Sequence, residues 1–95
     1  MLSPIIDYIL IRRVIMDTRE AVQNRIIQLC QAKRWSFNAL ANYSGIPAGT
    51  MKSIVNGKSQ NPGIVTIKKI CDGLEISLIE FFTSPMFENL GQEIE

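Results

Sequence analysis

The chain has 95 residues, an apolar fraction of 46 % and a net charge of +1, which suit one small domain with a single core. No stretch approaches the roughly 20 consecutive apolar residues of a membrane-spanning helix. The chain has no histidine and no Cys-x-x-Cys pair, so we expect no metal, no cofactor and no enzymatic activity. We expect the protein to be cytoplasmic, where its cysteines stay reduced. Cys30 and Cys71 are expected to be buried thiols, with a disulfide as the less favoured alternative.

The net charge conceals a division along the chain. No aspartate or glutamate lies between Ala21 and Cys71, whereas the segment from Asp72 onward holds six acidic residues and no basic one. The acid-free segment contains seven basic residues, namely Arg25, Lys33, Arg34, Lys52, Lys58, Lys68 and Lys69. A surface that faces phosphates needs carboxylates excluded as well as cations placed. We therefore expect a nucleic-acid-binding surface within this segment.

Residues 1–17 form an apolar segment that differs from the rest of the chain. A Ser-Pro pair suits a helix start and the apolar residues recur at helical spacing, although their β-branched side chains also suit a strand. Arg12 and Arg13 interrupt the apolar run, which argues against a signal peptide. We interpret the segment as a helical arm that serves in dimerisation; translation that starts at Met16 is the alternative.

A long helix is predicted next, from Asp17 or Thr18 to the Lys33-Arg34 pair. Either first residue can cap the helix, and Glu20 lies in the first turn, where the helix dipole favours an anion. Its apolar stripe consists of Val22, Ile26, Leu29 and Cys30. Trp35 is expected to be a buried plug between this helix and the following segment.

Two short helices joined by a glycine turn are predicted between Ser36 and Gly57. Ser36 can cap the first, Gly45 can end it in a left-handed conformation, and Pro47 suits the first turn of the second. Their apolar faces are Phe37, Leu40 and Ala41, and then Met51, Ile54 and Val55. Helices this short need neighbours for support. This is the helix-turn-helix arrangement, in which the second helix enters the DNA major groove.

The remaining sequence predicts two more helices and an acidic tail. The apolar face of the first consists of Ile64, Ile67, Ile70, Cys71 and Leu74. That helix is expected to end near Asp72-Gly73. Ser77 and Glu80 form a capping-box pattern that opens a short last helix, and Ser84-Pro85 is expected to end it. The tail after it is expected to be loosely held, with packing of Met86, Phe87 and Leu90 on the body or on a partner as the alternative.

The order of these elements resembles the lambda-repressor and Cro-like (XRE) family over about residues 21–82. The resemblance is carried by Leu40-Ala41, Gly45-Ile46, Ile54, Asn56-Gly57-Lys58, Pro62, the run from Thr66 to Ile70, Leu74, Ile76, Leu78 and Phe81-Phe82. It implies an all-α, compact five-helix domain whose third helix enters the major groove, as part of a homodimer. We therefore divide the chain into an N-terminal arm (1–17), a helix-turn-helix DNA-binding domain (18–83) and an acidic C-terminal tail (84–95).

The resemblance also implies which side chains meet double-stranded DNA. The base-reading set is Ala48, Gly49, Thr50, Lys52 and Ser53. The phosphate-contacting set is Ser36, Asn56, Lys58, Gln60 and Asn61. The expected function is that of a sequence-specific transcriptional regulator, a repressor, which reads DNA with the helix at about 47–55.

The sequence departs from this family at three positions. Ala48 and Gly49 stand where relatives often carry longer polar side chains, and they cannot make bidentate hydrogen bonds to bases. Phe37 stands where relatives often have a glutamine that supports a phosphate contact. Thr50, Lys52 and Ser53 can still read bases, and Ala48 can contact a thymine methyl group. The alternative hypothesis is a protein-interaction module or antitoxin-like partner that keeps the fold and binds DNA weakly.

Overall fold

Five α-helices follow one another in residues 16–58 and 61–94, the part of the chain that this computed structural model describes. They are α1 (Thr18–Lys33), α2 (Phe37–Ser44), α3 (Ala48–Val55), α4 (Ile64–Leu74) and α5 (Leu78–Phe82), followed by a 3₁₀ helix, Pro85–Phe87. The described residues contain no strand, only a single parallel bridge between Met16 and Leu90. The predicted all-α, five-helix fold is confirmed. The interpretation of the apolar arm falls on residues 1–15, outside the described range.

Within the described ranges, every helix falls short of the length and apolar character that a membrane crossing requires. The longest is α1, with 16 residues. Its outward-facing side chains are polar or charged at most positions.

Side chains predicted to cap helices do so at three N-termini. The bonds are Glu20 N–H to Asp17 Oδ1 at 2.7 Å, Ala39 N–H to Ser36 Oγ at 3.1 Å and Glu80 N–H to Ser77 Oγ at 3.0 Å. Each satisfies a backbone donor that has no partner within the helix. At the end of α2, Gly45 adopts φ 66°, which confirms the predicted left-handed turn.

Three helix boundaries lie within one residue of the predicted positions. Arg34 lies just beyond α1 at φ 57°, and α4 continues through Gly73 to end before Glu75 at φ 59°. Both residues are left-handed without being glycine, and the chain bends there so that Trp35 and Ile76 turn back onto the core. Pro47 occupies the N-cap of α3 and not its first turn.

The apolar faces of the helices meet in one core. Its buried members are Val22, Ile26, Cys30, Leu40, Ala41, Ile46, Met51, Ile54, Val55, Ile67, Ile70, Cys71, Leu74 and Phe81. Phe81 is the largest of the fully buried side chains, although it comes from a helix of only five residues. Most residues of the predicted apolar stripes of α1, α2, α3 and α4 therefore lie in this core.

Four side chains expected in the core lie at its edge or outside it. Phe37 is 40 % exposed and Ile64 is 57 % exposed. Leu29 and Trp35 are only partly buried against the core. The Trp35 ring stacks on the ring of Tyr43, with centroids 4.5 Å apart, so it covers the rim of the core and does not fill its interior.

The most extensive helix-to-helix contact, between α2 and α4, depends on a glycine. A Cβ at Gly73 would lie 2.4 Å from Ser44 Oγ and 3.0 Å from the backbone nitrogen of Ser44. The two backbones therefore approach too closely for any side chain at position 73. The Ser44 hydroxyl is buried and has no hydrogen-bond partner among the described residues.

The acidic tail packs on the body, which is the alternative that its apolar residues offered, and it is not loosely held. The Phe87 ring lies 5.0 Å from the Phe82 ring and 6.1 Å from the Phe81 ring, centroid to centroid. Further along, Gly91 N–H donates to the Met16 carbonyl at 3.2 Å. Glu93 Oε1 accepts from Thr18 N–H at 3.3 Å, where a carboxylate favourably faces the N-terminal end of α1.

Both cysteines are free, buried thiols, as predicted. Cys30 Sγ donates to the Trp35 carbonyl at 3.2 Å. Burial raises the pKa of both thiols, and the Asp72 carboxylate adds to this increase at Cys71. They therefore stay protonated at neutral pH and contribute as small apolar groups.

We expect Gly73→Ala to destabilise the fold by about 1–3 kcal/mol, because the new methyl group forces α2 and α4 apart. Gly49→Ala is the matched control, since a Cβ there meets no atom within 4 Å and alanine favours the helix by up to about 1 kcal/mol. Urea denaturation followed by circular dichroism measures both. Equal stabilities for the two variants would contradict the close approach at Gly73.

Candidate nucleic-acid interface

The turn between α2 and α3 sets the orientation of α3 relative to α2. Gly45 takes the left-handed conformation, and Ile46 N–H donates to the Ala41 carbonyl at 3.0 Å. Ile46 is buried beneath the turn. The turn is thus held both by its backbone bonds and by an apolar anchor.

Helix α3 has one face in the core and one face in solvent. Met51, Ile54 and Val55 are buried. The side facing outward carries the five predicted base-reading residues: Ala48, Gly49, Thr50 and Lys52 are exposed and Ser53 is partly exposed. The structure therefore brings this set together on one accessible surface.

The predicted phosphate-contacting residues lie at both ends of the helix-turn-helix. Ser36, Asn56, Lys58 and Asn61 are exposed, and Gln60 lies outside the described residues. Ser36 Oγ accepts from the backbone of α2 and keeps its own hydroxyl proton to donate. Asn56 Oδ1 accepts from Lys58 N–H at 3.2 Å, which orders the loop after α3 and leaves the Asn56 amide as a donor.

Two side chains of α1, missed by the sequence reasoning, hold the far end of α3. Gln23 Nε2 donates to the Val55 carbonyl at 2.7 Å, and Arg19 Nη1 donates to the Gly57 carbonyl at 3.4 Å. The first bond satisfies a carbonyl that has no partner at the end of α3, and the second ties the turn after α3 to α1. The four-residue spacing of Arg19 and Gln23 puts them on one face of α1, but sequence alone does not show what that face meets.

The basic segment does not present all its cations to one surface. Arg25 Nε donates to the Phe81 carbonyl at 2.7 Å and Nη2 to the Glu80 carbonyl at 2.9 Å, so this arginine ties α1 to α5. Lys68 pairs with Asp72 one turn along α4. Arg25 and Lys68 therefore have polar partners within the fold, and the Lys33 ammonium lies 5.1 Å from the centroid of the Trp35 ring. Lys52 and Lys58 remain beside the outward face of α3.

An open groove of about 420 Å³ runs between the start of α2 and the outward face of α3. Its apolar lining is Phe37, Ala48, Gly49 and Val55, with Ser36 and Lys52 among its polar lining groups. Phe37 is thus exposed beside the two small residues of the base-reading set. No cluster of three or more potential metal ligands occurs in residues 16–58 and 61–94.

Residues 25–84 match the Cro/C1-type helix-turn-helix DNA-binding domain. The chain belongs to this family. The structure places the helix-turn-helix of this Cro/C1-type domain at α2 and α3, within the matched residues.

Two relatives support the assignment. The chain is 41 % identical over 49 residues to an uncharacterized HTH-type transcriptional regulator, RghRB, of Bacillus subtilis (strain 168). That match covers 52 % of this chain and 35 % of the relative, so the chain spans about a third of the relative's length. The fold is also similar to the crystal structure of prophage Lp1 protein 11, with a TM-score of 0.67 and 31 % identity. That likeness covers 77 % of this chain and 97 % of the other.

We expect Gln23→Ala to lower the free energy of unfolding by about 1 kcal/mol, because the Val55 carbonyl at the end of α3 loses its partner. Asn24→Ala is the matched control on the exposed side of α1 and is expected to change stability by less than about 0.5 kcal/mol. Hydrogen exchange at the amides of α3 shows whether the loss is local. Equal protection of the α3 amides from exchange in the two variants would show that the hydrogen bond from Gln23 to Val55 does not stabilise the end of α3.

Proposed function

We propose that this Cro/C1-type domain is a sequence-specific double-stranded DNA-binding regulator that represses by occupying its site as a homodimer. In this proposal α3 enters the major groove. The observation that carries it is the two-sided nature of α3: its inner face is fixed in the core, and its outer face is accessible and free of carboxylates. A helix fixed in this way presents its side chains to a groove without further ordering.

In this proposal some of the outward side chains contact DNA bases and others contact the DNA phosphates. Thr50, Ser53 and Lys52 supply hydroxyl and ammonium groups that can hydrogen-bond to base edges. Ser36, Asn56, Lys58, Gln60 and Asn61 would hold phosphates on either side and set the register of the helix on the duplex.

A homodimer would place two copies of α3 on two half-sites about one helical turn apart. Helix α5 offers an apolar surface for such pairing, because Ile79 is 80 % exposed and Phe82 is 36 % exposed. The N-terminal arm, residues 1–17, is the alternative element for this pairing.

A protein-interaction role is the second candidate. It is favoured by the exposed Phe37 and by Ala48 and Gly49, which offer no polar group at two positions of the outward face. Such a protein would keep the fold, bind a protein partner and retain only weak affinity for DNA.

Selection from a random-sequence duplex pool, at low and at near-physiological salt, distinguishes the two roles. A near-palindromic motif that survives the higher salt supports the dimeric regulator. Binding without enrichment, or no binding, would reject the proposal in favour of the protein-interaction role. Because non-specific phosphate contacts weaken steeply with salt, the higher-salt selection is the decisive one.

We expect Lys52→Ala and Lys58→Ala to weaken DNA binding in different ways. Lys58→Ala removes a phosphate contact, so affinity falls about equally on all sequences and the salt slope decreases by about 1. Lys52→Ala removes a group on the base-reading face, so it also relaxes sequence preference. Binding isotherms on selected and scrambled duplexes, taken over a range of salt concentrations, measure both effects.

Lys68→Ala is the control for these variants, because it removes the same charge from a lysine already paired with Asp72. We expect it to bind almost as the wild type does. If all three variants bind alike, the DNA surface is not on the outward side of α3.

A further inference from the structure

The groove between α2 and α3 includes two residues that the fold does not require, Phe37 and Gly49. Phe37 begins α2 with 40 % of its surface exposed, and the core is complete without it. A Cβ at Gly49 would meet no atom within 4 Å. Gly49 also lacks a positive φ angle, which among the described glycines is found at Gly45 and Gly57. Neither crowding nor backbone conformation therefore explains the glycine, which also weakens the helix relative to alanine.

The groove is apolar in an otherwise cationic setting. Phe37, Ala48 and Gly49 provide its apolar walls, while Lys52 lies among its lining residues. No acidic residue occurs between Ala21 and Cys71, so no carboxylate from this segment opposes a polyanion there. This combination suits a ligand with a small apolar group attached to an anionic backbone better than it suits an apolar protein segment.

We propose that this groove is a reading site for the 5-methyl group of thymine in the major groove of duplex DNA. The inference rests on the proposed DNA-binding function. In the major groove, the thymine methyl is the only apolar group that the four bases present at their edges. Ala48 and Gly49 cannot hydrogen-bond to a base, so apolar contact is the recognition available at these two positions. The Phe37 ring supplies the apolar surface that the two small residues leave uncovered.

The expected strength of this contact is modest and measurable. Burial of one methyl group corresponds to about a fourfold change in affinity. Replacing thymine by deoxyuridine removes the methyl group and leaves base pairing and the hydrogen-bonding pattern unchanged. Deoxyuridine scanning of the selected duplex therefore isolates this one contact.

The experiment compares thymine and deoxyuridine at every thymine of the selected duplex, with the full chain. For the wild type, we expect one position in each half-site at which deoxyuridine weakens binding about three- to fivefold. For Phe37→Ala, that ratio falls to about one at the same position. Lys58→Ala is the matched control: it weakens binding to both duplexes and keeps the ratio.

Gly49→Ala separates the fold from the contact. Its melting temperature should rise by a few degrees, because alanine favours the helix and no atom obstructs it. The added methyl group narrows the groove, so its thymine-to-deoxyuridine ratio should fall towards one. Loss of the ratio in a more stable protein cannot result from unfolding.

Two results would overturn the inference alone: a ratio of one at every thymine for a wild type that binds its selected duplex, or an unchanged ratio in Phe37→Ala. A wild type that enriches no motif at all would instead reject the proposed function, and the inference with it. The two failures are therefore distinguishable by whether a motif was selected.

Discussion

The burial of one side of α3 is the interaction on which the rest of the site depends. A helix of eight residues is marginal by itself, so its geometry comes from Met51, Ile54 and Val55 in the core. The glycine turn fixes where it begins, and the hydrogen bond from Gln23 to the Val55 carbonyl fixes where it ends. With three such restraints, the outward face keeps one orientation, and contacts made there need little further ordering.

The polar groups around this core serve two different purposes. Arg25 and Gln23 use their donors on the carbonyls of helix ends, so these side chains are structural although they look like surface residues in the sequence. Lys52 and Lys58 are exposed beside α3, where a polyanion can reach them. Net charge along the chain therefore overstates the cationic surface, and the hydrogen-bond partners show which cations remain available.

The sequence predicted most of the fold because its signals are local. Side-chain caps such as Ser36 and Ser77 act within one turn of helix, and apolar spacing identifies the inner face of each helix directly. The left-handed Glu75, the half-exposed Trp35 and the close approach at Gly73 depend on how helices meet, which no local pattern encodes. In the site, the base-reading set was implied by the resemblance to the lambda-repressor and Cro-like family, whereas nothing in the sequence indicated the contact between Gln23 and α3.

The tail packed against the start of α1 has a consequence for the order in which the protein opens. Thr18 and Glu93 are 75 residues apart in the chain, so their contact depends on the five-helix core that brings the two ends of the described segment together. It is also exposed and adds few hydrogen bonds. We expect such a contact to open before the core does, because exposed contacts with few hydrogen bonds open at low free-energy cost. Release of the tail would leave the position of α3 unchanged, because the residues that hold α3 lie elsewhere on α1 and in the core.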